Sequence, residues 1–127
     1  MNLVNVLLVG AGGCIGSMAR YLAVISIDKK LNSAFPLGTL TVNLLGSFAL
    51  GFLMAVLMNR SAHGLEWRLF LGTGFCGGFT TFSAFALENM NLFQQKSPGM
   101  ALMYIIFSVA GGIAAVWTGV ILGRNII

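Results

Sequence analysis

The stretch Gly72–Phe85 reads GTGFCGGFTTFSAF and lies within a run that is otherwise apolar enough to cross a bilayer. Its mixture of glycine, phenylalanine and hydroxyl residues is poor material for a plain lipid-facing helix, because each glycine in a helix interior costs about 1 kcal/mol. Non-helical backbone at membrane depth survives only where protein or a water-filled cavity satisfies its polar groups. The stretch therefore predicts a helix broken at mid-membrane, which points to an ion or substrate site.

The composition of the whole chain identifies the class of protein around this stretch. Of its 127 residues, 57% are hydrophobic and only 8% are charged, whereas soluble domains carry about a quarter charged residues. A membrane span needs about 20 apolar residues, so the length allows four spans with short loops. We predict an all-α integral membrane protein with one domain, residues 1–127, and four transmembrane helices at about 3–27, 37–58, 65–93 and 100–123.

The distribution of charge bears on orientation and on partners. The net charge is +4, without a basic run that would indicate a nucleic-acid surface, so we expect no nucleic-acid partner. The basic residues near the ends of the predicted spans divide evenly, with Arg60, Arg68 and Arg124 on one side and Lys29, Lys30 and Lys96 on the other. Such a balance weakens the bias that sets orientation. It favours insertion in both directions and an antiparallel, dual-topology homodimer, although loop length or one dominant residue could still select a single orientation.

Small residues indicate where helices approach closely. Gly12 and Gly16 form a GxxxG pair in the first predicted helix, and Gly111, Ala115, Gly119 and Gly123 repeat at four-residue spacing in the last. This spacing allows close backbone contact between helices in lipid. The contacts could lie within one subunit or between subunits. Four short helices hardly enclose a pathway alone, which favours an oligomer.

Polar side chains recur on two of the predicted helices. Thr39, Asn43 and Ser47 share one face of the second helix, and Tyr104 and Ser108 share one face of the fourth. Membrane-embedded polar residues are costly and are functional candidates by default. An unpaired amide in hydrocarbon costs several kcal/mol, so Asn43 either joins two helices or faces a wet pathway.

The second half of the third predicted helix adds aromatic rings and hydroxyls. Phe82 and Phe85 are three residues apart on one face, next to Ser83. Aromatic edges carry partial positive charge, and amide and hydroxyl groups donate hydrogen bonds. A path lined by these groups would suit a small, hard anion. Core packing is the alternative for the two phenylalanines.

Two further features of the sequence concern ions. An unwound turn exposes backbone carbonyls that can ligate Na⁺, and the carbonyls of Gly77 and Thr80 could be shared between two subunits. A glycine kink for close helix contact is the alternative. Arg20 either attracts anions into a vestibule or extends to lipid headgroups. The sequence contains no nucleophile–base pair and no cluster of metal-binding side chains, which argues against an enzyme.

Three segments together resemble the Fluc (CrcB-type) fluoride channel family, and the resemblance extends over the whole chain. They are GGCIGSMARY at residues 12–21, GTLTVNLLG at 38–46 and GTGFCGGFTTFS at 72–83. The resemblance implies an antiparallel dimer in the inner (plasma) membrane, which exports cytoplasmic fluoride through two pores. It also implies a structural Na⁺ at the dimer centre, held by the carbonyls of Gly77 and Thr80 from both subunits.

The resemblance further implies a role for individual residues. Phe82 and Phe85 would contact fluoride, Asn43 would be a central donor of the pore, and Arg20 would lie near an aqueous vestibule. Polar residues on other faces would complete the fluoride pore, namely Tyr104, Ser108, Thr39 and Ser83. One departure concerns the last helix, where the family usually continues with hydroxyl residues and this chain has Gly112 and Val116.

Two other functions fit a small four-helix membrane protein. Small multidrug transporters resemble a different pattern, with a membrane-embedded glutamate in the first helix, and helix 1 predicted here has no carboxylate. Glu88 lies in the third predicted helix, near its end, and has no assigned role. A non-conducting structural subunit is the third possibility, against which the interrupted helix and the polar faces argue.

Overall fold

The computed structural model describes residues 1–58 and 63–126, and the part of the chain that it describes is entirely helical apart from short connections. Within these ranges, four helical stretches are long and apolar enough to cross a membrane: Leu3–Leu31, Leu37–Leu57, Gly64–Gln94 and Pro98–Ile126. The prediction of an all-α, four-span membrane protein is confirmed. Arg60, which contributed to the predicted charge balance, lies outside the described residues.

Helix α1, Leu3–Leu31, is four residues longer than the sequence predicted. The side chain of Asn2 accepts a hydrogen bond from the Val4 N–H at its start, and Lys29 and Lys30 lie in its last turn. Positive charge at a helix C-terminus complements the helix dipole, which explains why residues predicted as a loop are helical. The added turn also lets Asp28 Oδ1 accept a hydrogen bond of 3.0 Å from the Gly38 N–H, at the start of α2, Leu37–Leu57.

The third span contains two helices. The first, α3, joins Gly64–Trp67, a π-helical segment Arg68–Cys76 and Gly77–Phe79. The second, α4, is Phe82–Gln94. The last span is the single helix α5, Pro98–Ile126. A π-helix of nine residues is unusual, because this geometry mostly occurs as single turns and often at functional sites.

Between α3 and α4 the backbone is extended at Thr80 and Thr81, which we call the step. Their dihedral angles are φ −94°, ψ 157° and φ −150°, ψ 122°. The sequence predicted an interruption around Gly77 and Gly78, with Thr80, Thr81 and Ser83 at the break. Both glycines are helical, and the two threonines are the extended residues. Threonine adopts extended backbone readily, and the Thr81 hydroxyl caps α4 by accepting a hydrogen bond from the Ala84 N–H at 3.2 Å.

The glycines of α3 serve instead for close contact with α1. A Cβ added at Gly78 would meet the carbonyl of Gly13, and a Cβ added at Gly12 or Gly16 would overlap the carbonyl of Phe70 or Phe75, respectively. The GxxxG pair of α1 therefore packs within the chain, backbone against backbone.

A second glycine seam joins α2 to α5. A Cβ added at Gly51 would overlap the Val116 carbonyl, and one added at Gly119 would overlap the Phe48 carbonyl. Four-residue spacing on α5 thus also marks packing inside the subunit. The outward faces of α1 and α5 remain apolar and exposed, as expected of surfaces that meet lipid.

Candidate functional site

A cavity of about 250 Å³ lies where α2, the step, α4 and α5 meet. It brings together residues from all four regions, namely Asn43, Ser47, Thr80, Thr81, Phe82, Phe85, Ser108 and Val109. Four of the residues predicted for an anion path, Asn43, Phe82, Phe85 and Ser108, therefore share one space. We call it the central cavity. Thr39, Ser83 and Tyr104 do not line it.

Asn43 joins α2 to the step with two hydrogen bonds. Its Oδ1 accepts from the Thr81 N–H at 2.7 Å, and its Nδ2 donates to the Thr81 carbonyl at 3.0 Å. The sequence left open whether Asn43 joins two helices or faces a wet pathway; the structure shows that it joins α2 to the step and also lines the central cavity. An asparagine amide carries two N–H donors, so one donor is left for the central cavity.

The end of α3 leaves carbonyls that need partners. Thr80 satisfies the Cys76 carbonyl through both its N–H and its hydroxyl, at 3.0 and 2.9 Å. Arg20 Nε donates to the Gly78 carbonyl at 3.0 Å. This contact is a role that the sequence did not predict for Arg20, and it brings a positive charge from α1 to the negative end of the α3 dipole.

Three aromatic rings form a row that leads from the central cavity along α4. The ring centroids of Phe82 and Phe85 are 5.5 Å apart, and those of Phe85 and Tyr104 are 5.1 Å apart. Phe82 is 78% exposed, so core packing within the subunit does not explain it. Phe85 is partly buried and presents its ring to both neighbours.

Glu88 forms the far end of this row. Thr39 Oγ1 donates to Glu88 Oε1 at 2.6 Å, and the Tyr104 hydroxyl donates to Oε2 at 2.6 Å. Thr39 and Tyr104 are fully or almost fully buried. Each carboxylate oxygen thus accepts a hydrogen bond from one hydroxyl, and these two bonds join α4 to both α2 and α5.

The sequence assigned no role to Glu88, although two signals pointed to it. It is an acidic residue within an apolar span, and embedded charges are retained where polar partners compensate them. Hydroxyl residues on two other helices supply those partners. Glu88 also borders a smaller cavity of about 170 Å³ on the side of the loops 32–36 and 95–97, which is lined by Ala34, Pro36, Asn91, Leu92 and Gln95.

Two of the predicted pore hydroxyls differ in their bonding. The Ser108 Oγ is buried and has no hydrogen-bond partner among the described residues. The Ser83 hydroxyl is exposed and lies 3.2 Å from the Thr81 hydroxyl. Ser108 therefore has unused hydrogen-bonding capacity beside the central cavity.

A third cavity of about 230 Å³ lies on the other side of the step. Its lining is rich in small and hydroxyl residues, namely Gly46, Ser47, Leu50, Gly72, Thr73, Cys76, Gly77 and Thr80. We call it the interface cavity. Gly77 is exposed, with open space where a side chain would be. Within the described residues no group of His, Cys, Asp and Glu side chains could hold a metal, so a cation here would depend on backbone oxygens.

Comparison with known proteins adds independent information. The family model described as CrcB-like protein, Camphor Resistance (CrcB), matches residues 7–120. A protein of Agrobacterium fabrum named fluoride-specific ion channel FluC is 44% identical over 124 residues, which cover 98% of this chain and 99% of the relative. A protein of the same name from Chlorobium chlorochromatii is 43% identical over 120 residues, covering 94% of this chain and 92% of the relative.

Proposed function

The chain belongs to the CrcB-like protein family, and from this premise we propose that it is a fluoride channel through which cytoplasmic fluoride leaves the cell passively. Its four spans make it a multi-pass membrane protein, which we place in the plasma membrane. A channel transfers an ion without chemical change, so the protein is not an enzyme. Fluoride is its transported ion, and the names of the relatives support this assignment.

The observation that carries the proposal is the unpaired, buried hydroxyl of Ser108 beside the central cavity. A buried polar group without a partner costs about 1–3 kcal/mol. An anion in the cavity would accept one hydrogen bond from that hydroxyl and one from the second N–H of Asn43. Both donors are neutral, and this matters because conduction needs binding that is strong enough to admit the ion and weak enough to release it.

The aromatic row would extend the path beyond the central cavity. The edges of Phe82 and Phe85 are partly positive and can stabilise an anion that has lost water. The hydroxyls of Thr39 and Tyr104 lie next along the row, and each would have to release Glu88 before it could donate to a passing fluoride, because a hydroxyl has one hydrogen. Ser83, which neighbours Phe82, would contribute at the exposed side of the row. Arg20 adds positive potential near the step, as expected of a vestibule residue.

We further propose that the working unit is an antiparallel, dual-topology homodimer with two pores. The exposed ring of Phe82 supports this, since a partner subunit would cover it. The open space at Gly77 and the small residues that line the interface cavity are also suited to a second copy. In such a dimer the step would lie at mid-membrane and be buried in protein, which is the condition under which non-helical backbone persists at that depth.

The carbonyls of Gly77 and Thr80 are the candidate ligands for a structural Na⁺ between the two subunits. Carbonyl oxygens suit hard cations, and the ends of interrupted helices supply them. Neighbouring carbonyls are already engaged, with Cys76 bonded by Thr80, Gly78 by Arg20 and Thr81 by Asn43. Gly77 and Thr80 both line the interface cavity. When bound, the ion would supply positive charge that holds the two subunits together.

A test of the channel function measures fluoride and chloride efflux from liposomes that contain the purified protein. We expect rapid fluoride efflux and no comparable chloride efflux. Replacing Phe82→Ile removes the ring edge, and we expect at least about a fivefold loss of fluoride efflux if one aromatic contact stabilises the ion by about 1 kcal/mol or more. Phe93→Ile is the matched control, because Phe93 is also exposed on α4 but lies outside the central cavity. Equal fluoride and chloride efflux would contradict the proposal.

The same measurement separates the alternatives. A multidrug-type transporter would need an embedded carboxylate in α1, and the acidic residue of that helix, Asp28, lies in its last turn and is bonded to Gly38. Transport that depends on a proton gradient would revive this function. Absence of efflux from folded dimer would favour a structural subunit.

A further inference from the structure

Ser47 is the residue through which the two cavities beside the step come into contact. Of the residues that line the central cavity, only Ser47 and Thr80 also line the interface cavity. The Thr80 hydroxyl donates to the Cys76 carbonyl. The Ser47 hydroxyl has no hydrogen-bond partner among the residues that the structure describes, so it is the available donor at the junction.

Other hydroxyl residues in the helices bond back to their own backbone. Thr41, on the same helix as Ser47, donates to the Leu37 carbonyl at 2.7 Å, and Ser26 donates to the Leu22 carbonyl at 2.7 Å. Serine and threonine commonly bond back to their own helix in this way. Ser47 lies one turn after Asn43, on the face of α2 that borders the central cavity.

The α5 side of the junction keeps the space around Ser47 open. A Cβ added at Gly112 would meet the Ser47 Oγ at 3.9 Å and no other side chain of the described residues within 4 Å. That distance is ordinary van der Waals contact. Gly112 therefore leaves next to the Ser47 hydroxyl a space of the size that one small side chain or ion would occupy.

We propose that Ser47 donates a hydrogen bond to fluoride in the central cavity, on the side that borders the interface cavity, with Gly112 providing the room. The inference rests on the proposed channel function. The chemistry is that of the neighbouring Asn43 and Ser108, in which a neutral donor replaces part of the ion's hydration. The hydroxyl that receives the ion is supplied by α2 rather than α5, because α5 has glycine at the facing position.

The test relocates the hydroxyl from one helix to the other. Ser47→Ala removes the donor, and we expect fluoride efflux from liposomes to fall about fivefold, as for loss of one neutral hydrogen bond. The double variant Ser47→Ala with Gly112→Ser returns a hydroxyl to the same space from α5, and its efflux should recover to within about twofold of the unmodified protein. Thr41→Ala is the matched control on α2 and should conduct normally, because its hydroxyl is bonded to its own helix.

The possible results have distinct meanings. If the unmodified protein passes no fluoride, the channel function itself is wrong. If it conducts and Ser47→Ala conducts equally, or if the double variant stays as slow as Ser47→Ala, Ser47 does not donate to the ion. Should the double variant fail to fold, Ser47→Cys preserves the side-chain shape with a weak donor. A Ser47→Cys rate as low as that of Ser47→Ala would support the proposal, and an unchanged rate would overturn it.

Discussion

The α2–α5 seam and the step between α3 and α4 both follow runs of small residues, but they differ in what the backbone does. At the seam, Gly51 and Gly119 let two unbroken helices touch backbone to backbone. At the step, the helix stops at Phe79 and resumes at Phe82. The freed polar groups there are bonded by side chains from other helices, chiefly Asn43 and Arg20.

The difference shows that glycine content does not distinguish a dry contact from a polar site. The seam needs only the absence of a side chain, because every backbone group of its helices is satisfied within the helix. The step needs external partners, since each buried and unpaired N–H or carbonyl is costly. The presence of an asparagine on the facing helix is what makes the step possible.

The largest expected effect is steric disruption of the seam. Gly51→Leu would force a side chain into the Val116 backbone, so the two helices would have to separate. Overpacking commonly costs about 1–3 kcal/mol, and backbone leaves less room to adjust than a side chain does. We expect little monodisperse protein by gel filtration in detergent. Gly10→Leu is the control, because no atom lies within 4 Å of a Cβ at Gly10. Equal yields of the two variants would mean that the seam can open without loss of fold.

An intermediate effect is expected from removing the partner of the step. Asn43→Ala leaves the Thr81 N–H and carbonyl unpaired, at about 1–3 kcal/mol for each group that water cannot reach. The free energy of unfolding, measured by chemical denaturation in detergent, should fall accordingly. Asn91→Ala is the matched control, since Asn91 is exposed on the adjoining helix α4. If Asn43→Ala were as stable as Asn91→Ala, water would be bonding the Thr81 N–H and carbonyl. The step would then not depend on Asn43 for its hydrogen bonds.

The smallest effect concerns the hydroxyls on Glu88. Tyr104→Phe removes one donor to the carboxylate and leaves the Thr39 donor in place. One hydrogen bond to a charged group, about 1.5–3 kcal/mol, is therefore lost, against two unpaired backbone groups in Asn43→Ala. The cycle formed by Tyr104→Phe, Glu88→Gln and their double variant should give a coupling energy in the free energy of unfolding of about 0.5–3 kcal/mol. Tyr21→Phe is the control, because Tyr21 is exposed on α1. A coupling energy near zero would show that the contact does not stabilise the protein.

The sequence was sufficient for the number and extent of the spans. Hydropathy indicates directly whether a segment lies in lipid or in water, and a 20-residue apolar run has few alternatives to a spanning helix. Residue spacing indicated which polar side chains share a face of one helix, and the family resemblance implied that Asn43, Ser108, Phe82 and Phe85 belong to one pore. These four residues do line one cavity.

Tertiary structure was needed wherever the partner lies on another helix. Spacing along α2 places Asn43 and Ser47 on one face but does not reveal that the first bonds Thr81 while the second has no partner. The same limit hid the pairing of Glu88 with Thr39 and Tyr104, which joins three helices. It also left unresolved which residues of the interruption leave the helix: Gly77 and Gly78 stay helical, and Thr80 and Thr81 become extended. Helical periodicity shows which residues share one face of one helix. Hydrogen bonds and close contacts also depend on which neighbouring helix packs against that face.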